Sequence, residues 1–223
     1  MDKRFDQKAL GGRRVVYPDT CYSVSETPTG QLLVGRKEKF DILNCDSKSV
    51  NCDIKSVPVT PGMVIGIQTY NQSIYTLRHD VGLVSNDREI KVFDRTTFKE
   101  VGSLWAPFNS FPGNLAVIND KVYVPDVDSK RLCTFSLSGR ELEIIKNPSF
   151  VTPANLSVSS PDSIIICDRE ANKVHKLDSR TDTITWTCEL VNCPVAACCD
   201  TNSDVWVWSE DSNCIVRLTS LSG

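Results

Sequence analysis

"VYVPDVDSKRLCTFSLSGREL" (122–142) and "IIICDREANKVHKLDSRTD" (164–182) decide the fold, because they are one pattern written twice. Each opens on an apolar run and passes through an aspartate into a short polar loop. A basic residue then leads into a second apolar run that ends in a Ser, Asp or Gly turn. "VWVWSEDSNCIVRLTSLSG" (205–223) is a looser third copy. The register holds at single positions. Ile74, Val122, Ile164 and Val205 lie 48, 42 and 41 residues apart, and Ile90, Leu132, Val174 and Ile215 lie 42, 42 and 41 apart. Phe93, Phe135, Leu177 and Leu218 repeat the second set of intervals.

Working outward, Pro18, Pro61, Pro112, Pro153 and Pro194 mark five copies. An apolar stretch follows each proline ("TCYSV", "MVIGI", "NLAVI", "NLSVS", "AACC"), then a second ("QLLVG", "SIYTL", "KVYVP", "SIIIC", "DVWVW") and a third ("KFDIL", "EIKVF", "RLCTF", "KVHKL", "CIVRL"). A fourth occurs in the first four copies: "CDIKSV", "EVGSLW", "ELEII" and "TITWTC". The runs are short, rich in β-branched and aromatic residues, and separated by Gly, Asn, Asp, Ser and Pro, which is strand-and-turn grammar. Helical periodicity is absent. Four antiparallel strands per unit of about 42 residues predict an all-β fold, a β-propeller with five countable blades. The ring is either five-bladed or a fragment of a six-bladed one. The first and second runs are expected to fill the packed centre, and the third and fourth to lie half solvated toward the rim.

This reading divides the chain into a flexible N-terminal segment, 1–12, and a propeller domain, 13–223. The fifth copy stops where its outermost strand should begin. "RRVVY" (Arg13–Tyr17) is a spare strand that could supply it and close the ring; otherwise a sixth blade is lacking. Blade 2 also carries extra residues in "RHDVGLVSNDR" (78–88), a surface insertion of the kind loops accept cheaply.

Composition narrows the function. With 25 Lys and Arg against 28 Asp and Glu, the net charge of −3 gives no general attraction to nucleic acid or anionic membrane. No apolar run approaches the roughly 18 residues that span a bilayer. "MDKRFDQKALGGRR" lacks the apolar stretch of a secretory signal, so the expected location is cytoplasmic, with no membrane partner. The ten cysteines show no C-x-x-C pair and are accompanied by two histidines, which excludes zinc-finger spacing. Most sit in apolar runs and are expected to be reduced and buried.

The three units quoted above resemble NHL repeats: an apolar strand, an Asp, a polar loop with Asn, a basic residue, a strand ending near Phe, then Asp or a Gly turn. Asp168, Asn172, Lys173 and Asp178 match that pattern, and Asp126, Lys130, Arg131 and Phe135 match in part. In blade 5 only Asn213 and the apolar positions do. Over about residues 15–223 the chain is similar to the C-terminal propellers of animal TRIM-NHL proteins. That resemblance implies a recognition module within a ubiquitin-ligase context supplied by other domains. It also implies RNA binding on a basic face as the alternative.

The loops between second and third strands carry the candidate binding face: Arg36, Lys37, Arg78, His79, Arg88, Lys130, Arg169 and Glu170. Acidic residues share those loops and offset the basic ones, and stacking aromatics are scarce there, which favours a protein partner over RNA. A second candidate contact is the aromatic loop with Trp105, Phe108 and Phe111. Catalysis is not expected. Neither histidine stands in a nucleophile constellation: His175 is expected half exposed at the rim and His79 solvated in the insertion. A channel-metal hydrolase of the six-bladed lactonase type would draw on the positions two after each proline, Thr20, Met63, Asn114, Asn155 and Ala196. Met63 and Ala196 are poor ligands for a hard cation, so no metal site and no cofactor are assigned.

Overall fold

The computed structural model describes residues 20–45, 52–79, 88–105, 113–189, 191–200 and 202–219. They form eighteen strands in chain order, each pairing antiparallel with its sequence neighbours within a blade. Blade 1 consists of β1 (Ser23–Glu26), β2 (Leu32–Gly35), β3 (Lys37–Cys45) and the first part of β4 (Cys52–Tyr70). Blade 2 takes the remainder of β4 with β5 (Ser73–His79), β6 (Arg88–Asp94) and β7 (Glu100–Trp105). Blade 3 is β8 (Ala116–Ile118), β9 (Lys121–Asp126), β10 (Arg131–Ser136) and β11 (Glu141–Lys146). Blade 4 is β12 (Pro153–Ser160), β13 (Ser163–Asp168), β14 (Lys173–Asp178) and β15 (Thr183–Cys188). Blade 5 contributes β16 (Pro194–Cys199), β17 (Val205–Ser209) and β18 (Cys214–Leu218). Arg13–Tyr17, expected as a closing strand, lies outside the described residues, as does the segment 1–12.

Blades 1 and 2 are joined differently from the rest. β4 runs 19 residues without a break, pairing with β3 through Cys52–Pro58 and with β5 through Met63–Tyr70, so the two blades form one seven-stranded sheet. The strand turns at Gly62, whose φ of +110° suits glycine; a Cβ there would stand 2.6 Å from the His79 carbonyl oxygen.

The repeat grammar has a conformational cause. Lys130, Asn172 and Asn213 occupy one register position and all have positive φ, at 55°, 57° and 48°. Each donates its backbone N–H to the carbonyl three residues back, Val127, Arg169 and Glu210 respectively. Asparagine recurs at this position because it tolerates the left-handed conformation that closes the turn.

Apolar side chains pack between blades rather than within them. Tyr75, Leu77 and Ile90 of blade 2 meet Val122 and Val124 of blade 3. Tyr123 and Leu132 of blade 3 meet Leu156, Ile164 and Ile166 of blade 4, and Ile165, Cys167 and Val174 of blade 4 meet Val205 and Val207 of blade 5. The burial order corrects the sequence expectation. The second strands, β9 and β13, are buried at every position after the first, and the third strand β10 at its four central positions, whereas β14 buries three of its six residues and β18 none. The innermost strand β12 buries only Pro153 and Leu156 of its eight residues, because it lines the channel. The cysteines are also less buried than expected: Cys133 and Cys167 are inside, whereas Cys21, Cys198 and Cys214 are exposed. The eight cysteines whose side chains are described are free. No described helix is long and apolar enough to cross a membrane.

Candidate functional site

The residue that leaves the second strand of every blade is polar and buried: Arg36, Arg78, Asp126, Asp168 and Ser209. Its sign changes around the ring, and in blades 1 to 4 a partner comes from the third strand. Arg36 donates to Asp41 at 2.7 Å, Arg78 lies 3.3 Å from Glu89, and Arg131 donates to Asp126 at 2.8 Å. In blade 4 Asp168 accepts backbone N–H bonds from Val151 and Thr152 at 2.9 and 2.6 Å, and His175 Nε2 stands 3.6 Å away. Burial pushes the Asp168 pKa up, but His175 and the two backbone donors outweigh it and hold the carboxyl below its ordinary value. In blade 5 the Ser209 hydroxyl donates to the Asn192 carbonyl. In blades 4 and 5 these groups tie an inter-blade loop to the sheet.

Three sequence expectations are corrected by this arrangement. Arg36 and Arg78, placed on the basic face by sequence, are only 9% and 7% exposed, with their guanidinium groups turned to carboxylates inside. His175 is not half exposed at the rim but fully buried, with Nδ1 2.9 Å from the Thr187 hydroxyl and its ring edge-on to Phe150. His79 is half-buried at the end of β5 rather than solvated in the insertion. The side chains of Arg88 and Trp105, and all of Phe108 and Phe111, lie outside the described residues.

Lys37, Lys130, Arg169 and Glu170 are exposed on the expected face. That face is also where each blade hands the chain to the next, and the two sets of loops are braced together. Arg169 N–H donates to the Thr152 carbonyl and Glu170 N–H to the Thr152 hydroxyl. The Cys193 N–H donates to Asn172 Oδ1, and the Arg169 guanidinium pairs with Glu210 across the joint between blades 4 and 5. Gly113 donates its N–H to the Ala154 carbonyl, and a Cβ there would approach that oxygen to 2.3 Å.

A cavity of about 590 Å³ lies between blade 5, the start of blade 1 and the inner edges of blades 3 and 4. Asn114 just before β8, Asn155 and Ser157 on β12, and Ala196 and Cys198 on β16 line it, β1 brings Val24 with Tyr22 just before it, and blade 5 adds Trp206, Trp208 and Ile215. Two of the positions two after a repeat proline, Asn114 and Asn155, thus meet here with Ala196. The Asn114 amide is engaged in structure: Nδ2 donates to the Leu156 carbonyl and Oδ1 accepts the Leu115 N–H. No three His, Cys, Asp or Glu side chains converge as a metal site among the described residues. Sequence reasoning missed this cavity; its signal was "VWVW", which places two tryptophans on one face of a strand.

Four-stranded antiparallel units packed face to face about a shared channel make this chain a β-propeller. Solved structures agree. Over 90% of this chain it is similar to virginiamycin B lyase from Staphylococcus aureus (12% identity, TM-score 0.67, 67% of that chain). Over 92% it is similar to Kuenenia stuttgartiensis hydrazine synthase (10% identity, TM-score 0.68, 73% of that chain). The WD40 β-propeller domain of Doa1 matches over 90% of this chain and 68% of its own, at 15% identity and TM-score 0.62. At such identities the likeness is one of fold alone. No protein-family model and no curated protein matches the sequence.

Proposed function

We propose that this propeller is a non-catalytic binding module that presents the loops between its second and third strands to a protein partner. The pairwise neutralisation of its described arginines carries the reading. Arg36, Arg78 and Arg131 are matched to carboxylates within their own blades, and Arg169 is matched to Glu210 across a joint. A phosphate track needs cations that remain available for counterion exchange. A braced relief of mixed charge suits a protein surface instead, because complementarity then sets register and specificity. The NHL-like repeat supports recognition of a substrate on behalf of catalytic domains elsewhere, as in ubiquitin-ligase assemblies.

Charge reversal tests the face. Lys130→Glu, Arg169→Glu and Glu170→Arg together should abolish cross-linked capture of the partner. Reversal of the opposite-face pair Asp162 and Arg180, which hydrogen-bond at 2.7 Å, should leave capture intact. Capture that ignores the first set and follows the second would place the partner on the other face. Salt-dependent binding of structured RNA that is lost with the first set would replace a protein partner by RNA.

A further inference from the structure

Ile90, Leu132, Val174 and Ile215 occupy one register position in blades 2 to 5. The first three are fully buried against the following blade, whereas Ile215 is 55% exposed. The same shift affects the second strand, where Tyr75, Tyr123 and Ile165 are buried and Trp206 is half open. Across the cavity stand Tyr22, 39% exposed, and Val24, 64% exposed. Three of the large apolar side chains most open to solvent therefore line one cleft. Its volume fits a small-ligand pocket.

The lining is uncharged throughout. The Trp206 ring is held in place, its Nε1 donating to Asp200 at 2.9 Å with Arg217 over its face. The Asn155 amide, the Ser157 hydroxyl and the Tyr22 hydroxyl line the cavity and make no side-chain hydrogen bond to other described residues. Rigid aromatic walls with open donors and acceptors on the channel side suit a planar ring that carries a polar edge. A charged group would lose its hydration there and gain no counter-charge.

We propose that this cleft takes an uncharged aromatic side chain, a tyrosine or tryptophan, which the partner protein inserts as its anchor. The inference rests on the protein-binding function above and names what is recognised. Asn155 and Ser157 meet the polar edge of the ring, while Trp208, Ile215 and Val24 enclose its body.

The test uses the full chain labelled with 5-fluorotryptophan and titrated with N-acetyl-tyrosinamide, followed by fluorine NMR. The Trp206 and Trp208 signals, assigned by single Trp→Phe variants, should shift saturably. That of Trp186, which is exposed on β15 of blade 4, should not. Val24→Asp, at an exposed position, should weaken the probe by about tenfold or more at unchanged unfolding temperature. Asn155→Ala should weaken it several-fold with the apolar walls intact. Shifts that include Trp186 equally, no saturable shift, or saturation by adenosine in preference to the tyrosine amide would each overturn the proposal. If the loop variants abolish partner capture while the probe fails to bind and Val24→Asp changes nothing, the binding function stands and the anchor site falls.

Discussion

Blades 4 and 5 are written in the same register and meet different surroundings. In blade 4 both sheet faces are covered, one by blade 3 and the other by blade 5, so Ile164, Ile165, Ile166 and Val174 are all buried. Blade 5 packs Val205, Val207 and Val216 against blade 4, while its other face carries Trp206, Trp208 and Ile215 in partial contact with solvent. A propeller blade is thus stabilised by its neighbours as much as by its own ladder. A side chain's contribution depends on which joint it faces, not on its place in the repeat.

That comparison can be broken most directly with one substitution at one register position. Ile90→Ala should cost about 3 kcal/mol in urea unfolding, the usual effect of emptying a packed site, whereas Ile215→Ala should cost less than about 1 kcal/mol. Equal losses would show that the cleft face is as well packed as the interior. The polar position gives the next largest contrast. Asp168→Ala leaves two backbone donors without their acceptor and should cost about 2 to 3 kcal/mol, against about 1 kcal/mol for Ser209→Ala, which removes only neutral hydrogen bonds to Asn192 and Ser212.

Acid should act through the same groups. Asp168 is held below its ordinary pKa in the folded protein, as are Asp94, Asp178 and Asp200 through turn N–H groups and, for Asp200, chiefly the Trp206 indole. A carboxyl depressed by folding adds stability at pH above its unfolded value and loses it as pH falls through the folded one. Stability should therefore stay level through the neutral range and decline only below the ordinary aspartate value of 3.8, and Asp168→Asn should flatten that decline. The smallest effect is kinetic. Burial pushes the Cys167 thiol up to about 12, so it should resist iodoacetamide at neutral pH while exposed Cys198 and Cys214 on blade 5 are alkylated. Mass spectrometry of partly labelled protein would show the order.

The strands were legible because β-branched runs, turn residues and a fixed interval all pointed one way; each of the runs quoted above is strand in whole or in part, with two of them fused in β4. What escaped was partnership across strands. "GRKEK" reads as surface charge, yet Arg36 turns inward because Asp41 waits on β3. "KVHKL" alternates as a half-solvated strand should, yet His175 is enclosed by Asp168, Thr187 and Phe150, which lie 7, 12 and 25 residues away in sequence. The site was half legible: the loop face was named, but two of its cations are internal. The cleft depends on the setting of blade 5, which no single repeat encodes.

The uninterrupted β4 also gives the molecule an uneven stiffness. The joint between blades 1 and 2 is one continuous strand, paired on either side of its turn at Gly62, whereas the blades that follow are linked by connecting loops. Any load that spreads the ring is therefore taken up away from that pair, with blades 3 to 5 opening like leaves about a fixed spine. The cleft between blade 5 and β1 lies among the loop-linked blades, where a small rotation changes its width most.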